Sequence, residues 1–114
     1  SPLARGLLTG SRGRGGEKRT VRARSDSFGD SLYGESAFTI VDRVAEIAAK
    51  HDVPPAQIAL AWLLHQDAVT APIVGATKPG HVDDAVAAVD VTLSADELTA
   101  LEELYEPRPI AGHG

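Results

Sequence analysis

Two short stretches carry residue types suited to holding an anion. They are SPLARG, Ser1 to Gly6, and IVGATKPGHVDDA, Ile73 to Ala85. In the second, a β-branched run ends at Gly75 and a helix is expected to begin between Thr77 and Pro79. The first turn of a helix has free N–H groups and a partial positive charge, which attract phosphate. Thr77 offers a hydroxyl or a cap, Lys78 a mobile charge, and Gly75 close access to the backbone. Strand–turn–helix at the carboxyl end of a parallel strand is where α/β folds bind ligands. The stretch matches neither G-x-G-x-x-G nor G-x-x-x-x-G-K-[ST], so on chemistry alone an ordinary capped helix is the plainer reading. In the first stretch, Ser1, the Pro2 turn, Gly6 and Gly10 could gather a hydroxyl and backbone N–H groups around a phosphate. Serine–proline turns are common, so this pattern is weak by itself.

Other reactive residue types fall into no catalytic pattern. His51, His65, His81 and His113 are far apart, without metal-ligand spacing. His65 closes an apolar run and reads as structural or solvated. Asp83 and Asp84 are adjacent, so on a helix they point about 100° apart and do not face each other. Nothing near Tyr33 or Tyr105 marks a tuned proton donor, and Trp62 reads as core. The chain has no cysteine, which removes disulfides, thiolate zinc sites and cysteine nucleophiles. A reducing cytoplasm fits that usage. No apolar run approaches the roughly 18 residues of a membrane span, and Leu7-Leu8 is too short for a signal-peptide core.

Charge is divided along the chain. Residues 1–24 hold seven basic residues against Glu17 alone, whereas residues 25–114 hold four basic and fifteen acidic ones, for a net −5. The basic segment suits an anionic partner or forms a solvated loop. The 114 residues, 43% hydrophobic but only 4% aromatic, allow one modest domain with a light core.

The elements that would position these residues follow from periodicity. Residues 11–36 read as a basic loop rich in glycine, serine and charge. Residues 37–66 read as a helix pair. In the first helix Ile40, Val41, Val44, Ile47 and Ala48 share a face opposite Asp42, Arg43, Glu46 and Lys50. The second begins at a proline and is apolar nearly all round, so it must be covered on more than one side. Residues 70–75 read as a buried strand with Pro72 near its start. Residues 79–106 read as a second helix pair. Val82, Ala85, Val86 and Val89 repeat at helical spacing; then Ser94 and Glu97 form a capping box, with Leu98, Leu101 and Tyr105 inward and Pro107 as the stop. A single buried strand needs neighbours for its backbone groups. That predicts a fold completed by further chain, and self-association or instability of these 114 residues alone.

Taken in order, SPLARGLLTG, VPPAQIALAWLL and APIVGATKPGHVDDAVAAVDVTLSADELTALEE resemble the C-terminal third of an aldo-keto reductase, with only residues 11–36 matching loosely. The resemblance implies an α/β fold, the C-terminal portion of a (β/α)8 TIM barrel: the end of strand seven, strand eight and flanking helices, mostly helical in this segment. It implies a nicotinamide cofactor, NADP(H) with NAD(H) as the alternative, and a small carbonyl substrate. Residues 1–10 would be a phosphate-binding turn, with Ser1, Pro2, Leu3, Ala4 and Gly6 on the pyrophosphate. Gly75, Ala76 and Thr77, with Lys78, would face the adenosine ribose and its 2′-phosphate. His81 stands where many members have arginine or glutamine. Asp84 and Ala85 stand where many have glutamate and asparagine near the adenine; alanine loses an amide there. Ser11 replaces a phosphate-binding lysine of some relatives, so Arg12, Arg22 or Arg24 could substitute from the basic loop. The family's Asp/Tyr/Lys/His set, whose tyrosine protonates the carbonyl oxygen, precedes the first turn and is absent from this sequence. The expected protein is a cytoplasmic oxidoreductase of which this chain, inactive alone, holds part of the cofactor site. Its rivals are a non-catalytic nucleotide-sensing module of the same family and a helical domain with a basic nucleic-acid-binding arm. The second rival is disfavoured by the lack of aromatics in the basic stretch.

Overall fold

The computed structural model describes residues 2–9 and 35–105. It consists of a short 3-10 helix, Ala4–Thr9, and four α-helices: α1 (Glu35–His51), α2 (Pro55–Leu64), α3 (Pro79–Ala87) and α4 (Ala95–Glu102). A 3-10 turn, Ala88–Asp90, continues α3.

Along α1 the expected amphipathic face is buried through Val44, Ile47 and Ala48, while Asp42, Glu46 and Lys50 are exposed. Lys50 and His51 in its last turn complement the helix dipole. The helix stops where Asp52 turns left-handed, φ 55°, and the Val53 N–H closes back on the Ala48 carbonyl at 3.1 Å. Pro55 then opens α2, where its missing N–H would have had no helical partner.

The α2 helix is the centre of the structure. Gln57, Ile58, Ala59, Leu60 and Ala61 are all buried. Helix α2 packs on α1, on α3 and on both 3-10 segments. Ile58 and Ala61 join Val44, Ile47 and Ala48 of α1, Leu93 before α4 and Leu101 within it, with Leu8, Trp62 and Leu98 packed around them. This is the covering on several sides that an apolar helix requires. The capping box at α4 forms as expected: the Glu97 N–H donates to Ser94 Oγ at 3.1 Å, and the Ser94 N–H donates to Glu97 Oε1 at 3.0 Å.

Two expectations require correction. Residues 71–76 have no regular secondary structure, and Ile73 is 88% exposed. Among the described residues there is no strand, and a strand forms only when a neighbour meets its N–H and C=O groups. Tyr105 is 68% exposed rather than inward, because α4 ends at Glu102 and releases it from the helical register. The helical spacing of Val82, Val86 and Val89 is correct, but their side chains are exposed, since no described element lies against that face. Tyr33, residues 11–34 of the expected 11–36 loop and Pro107 lie outside the described residues; Glu35 and Ser36, expected in that loop, begin α1 instead.

Candidate functional site

The first turn is fastened by apolar side chains. Leu7 is buried and Leu8 packs on the main core. Above them the backbone folds tightly: the N–H groups of Gly6 and Leu8 both donate to the Leu3 carbonyl at 3.2 Å. Thr9 Oγ1 donates to the Gly6 carbonyl at 2.9 Å. Gly6 has φ 96°, a region that glycine enters without a Cβ penalty. Ala4 has φ 49°, an uncommon left-handed conformation for alanine. Pro2 and Leu3 are half-buried. Ser1 and the basic candidates Arg12, Arg22 and Arg24 lie outside the described residues.

The second turn is open. Gly75, Ala76, Thr77, Lys78 and His81 are all exposed. A Cβ placed on Gly75 would meet nothing within 4 Å, so the space beside this backbone is accessible to a ligand. Lys78, not Thr77, is the N-cap of α3, in extended conformation and without a side-chain cap; Pro79 is the first helical residue. The Thr77 hydroxyl therefore does not cap the helix. The Thr77 N–H donates to His81 Nδ1 at 3.3 Å, and the His81 N–H donates to the Lys78 carbonyl at 3.1 Å. An accepting Nδ1 places the imidazole proton on Nε2. One helical turn on, Asp84 is half-buried and accepts from Gln57 Nε2 at 3.3 Å.

An open, mostly apolar depression of about 360 Å³ joins the two regions, lined by Pro2, Leu63, Val69, Ala71, Pro72 and Ile73. The first turn and the approach to the second thus meet beyond the end of α2. His51 and His65 lie elsewhere, in structural contacts, as expected for His65. Among the described residues no cluster of His, Asp or Glu could hold a metal ion, and no helix is long and apolar enough to cross a membrane. Sequence reasoning passed over Gln57. The available sign was its amide inside a ten-residue helix otherwise made of apolar residues, PAQIALAWLL.

These residues fit a phosphate-bearing ligand. Lys78 is exposed and engaged in no ion pair among the described residues, beside an open glycine and a helix start. Over residues 1–106 the chain matches the model of the Aldo/keto reductase family, and it belongs to that family. It is 43% identical to an aldo-keto reductase of Fusarium vanettenii over 99% of this chain and 30% of that protein. It is 43% identical to an aldo-keto reductase of Metarhizium robertsii over 98% of this chain and 30% of that protein. To a versiconal hemiacetal acetate reductase of Aspergillus parasiticus it is 38% identical, over 96% and 32% respectively. The chain therefore spans about a third of the length of these relatives. Family members generally use nicotinamide cofactors and carbonyl substrates.

Proposed function

We propose that this chain forms the cofactor-holding, C-terminal part of an NADP-dependent aldo-keto reductase barrel that reduces aldehydes or ketones to alcohols. The observation that carries this reading is the open turn Gly75–Lys78 at the start of α3, in a chain of this family. In the complete barrel, residues 70–75 pair as strand eight, and the turn at their carboxyl end faces the cofactor. Lys78 binds the 2′-phosphate as a point charge, while Gly75 and Ala76 let the ribose approach the backbone. The tight turn Pro2–Gly6, with Ser1, holds the pyrophosphate, and Asp84 lies toward the adenine. The bound nicotinamide supplies the hydride. The proton donor comes from the parts of the protein that these 114 residues do not include, so the chain alone is inactive.

The test is NADPH oxidation by the full-length protein across a panel of aldehydes and ketones, repeated with Lys78→Ala. Turnover is expected, and the variant should raise KM for NADPH about tenfold, as for loss of one charge-assisted contact, with kcat and NADH binding little changed. Cofactor binding without turnover on any carbonyl would overturn the enzymatic reading in favour of a sensing module. An equal rise in KM for NADPH and NADH would remove Lys78 from the 2′-phosphate.

A further inference from the structure

Gln57 is 7% exposed and is the one buried polar side chain among the described residues. A buried amide must be hydrogen-bonded, yet α2 around it offers only apolar side chains. Its Nε2 instead crosses to α3 and donates to Asp84 Oδ1 at 3.3 Å. A carboxylate only accepts, which fixes the amide with its nitrogen toward Asp84. The Asp84 carboxylate makes no other hydrogen bond or ion pair among the described residues, and the residue is only half-buried. One carboxylate oxygen is therefore held while the other can accept from a ligand. Ala85, beside it, offers no side-chain polar atom.

Resting on the cofactor reading above, we propose that Gln57 is a positioning residue. It pins one oxygen of Asp84 so that the other is presented to the amino group of the cofactor's adenine. The site then discriminates by the substituent at the purine 6-position: an amino group donates to the free oxygen, whereas a 6-oxo group meets it acceptor to acceptor. Pinning also removes side-chain freedom that would otherwise be lost on binding. The packing of α2 thereby sets base selectivity on α3, although Gln57 itself touches no ligand.

The experiment measures dissociation constants of the full-length protein for NADPH and for its deamino (6-oxo) form. Wild type should prefer NADPH by about tenfold, the value of one hydrogen bond to a charged group. In Asp84→Asn, Gln57 still donates to the asparagine oxygen and so turns Nδ2 outward, and preference should move to the 6-oxo cofactor. In Gln57→Glu with Asp84→Asn, the new carboxylate captures Nδ2 and turns the asparagine oxygen outward, restoring the preference for NADPH. Gln57→Leu keeps an apolar residue in an apolar helix and should erase most of the discrimination; it decides the matter if thermal melts show the double variant unfolded. The positioning role is overturned if the double variant keeps the Asp84→Asn preference, or if Gln57→Leu discriminates like wild type. Equal wild-type binding of both forms also overturns it while leaving the cofactor reading intact. Binding of neither form overturns the cofactor reading, and this inference with it.

Discussion

His51 Nε2 lies 2.7 Å from Glu97 Oε2, tying the last turn of α1 to the first turn of α4. The other oxygen of the same carboxylate accepts the Ser94 N–H. One side chain thus closes a capping box and staples two helices. The Ser94 amide, and to a lesser degree His51, hold the Glu97 carboxyl below its ordinary value of 4.5, against the opposing effect of desolvation. A depressed folded-state pKa contributes stability that is fully present above about pH 4.5 and is lost as pH falls through the lowered value. Urea midpoints should therefore fall on acidification across that window. Glu97→Gln, which cannot take up that proton, should flatten this limb. Ser94→Ala should cost about 1 kcal/mol near neutral pH; an unchanged midpoint would remove the cap from the account.

His65 joins two elements through both ring nitrogens. Nδ1–H donates to the Ala61 carbonyl at 2.7 Å, and Nε2 accepts the Leu93 N–H at 3.3 Å. Leu93 is a buried core residue, so losing the acceptor strands an amide where water has little access. His65→Ala should cost about 1–3 kcal/mol in chemical denaturation. A change confined to a few tenths would show that the Leu93 amide finds solvent.

Asp52 is the left-handed residue that ends α1. It combines two small penalties: a Cβ in a region glycine prefers, and a negative charge near the negative end of a helix dipole. Asp52→Gly should stabilise the protein by about 0.5–1 kcal/mol. A lower melting temperature would mean that the Asp52 side chain does more than end the helix.

Most of the helical frame could be read from the sequence because each helix declares itself locally. The face of α1, Pro55 at the start of α2 and the Ser94–Glu97 box all rest on spacings within a few residues. The segment over 70–75 has the sequence of a strand but is irregular among the described residues, because strand formation depends on partners far along the chain. Gln57 shows the opposite limit. Its type and position were visible, but the partner that gives it meaning, Asp84, lies on another helix and is known only from packing. Lys78 and His81 were legible as residues of the second turn. That the His81 ring accepts the Thr77 amide, and that Thr77 does not cap α3, depends on backbone angles that spacing does not specify.

The exposed apolar residues give a last prediction. Ile73 and Val74 lie on the extended segment, and Val82, Val86 and Val89 lie on α3 and the turn after it, all solvent-facing. Exposed apolar groups of this size favour burial against another surface. Under the barrel reading, the rest of the full-length protein covers them. The 114-residue chain expressed alone should then self-associate, and light scattering should show its mass rising with concentration. Ile73→Glu with Val86→Glu should reduce that association by placing charge on both elements. In the full-length protein the same pair should be strongly destabilising, because the carboxylates would be buried without partners. A concentration-independent monomer for the isolated chain, with full-length stability unchanged by the pair, would show that this face is solvent-exposed in the complete protein and would sink the barrel arrangement proposed for residues 70–90.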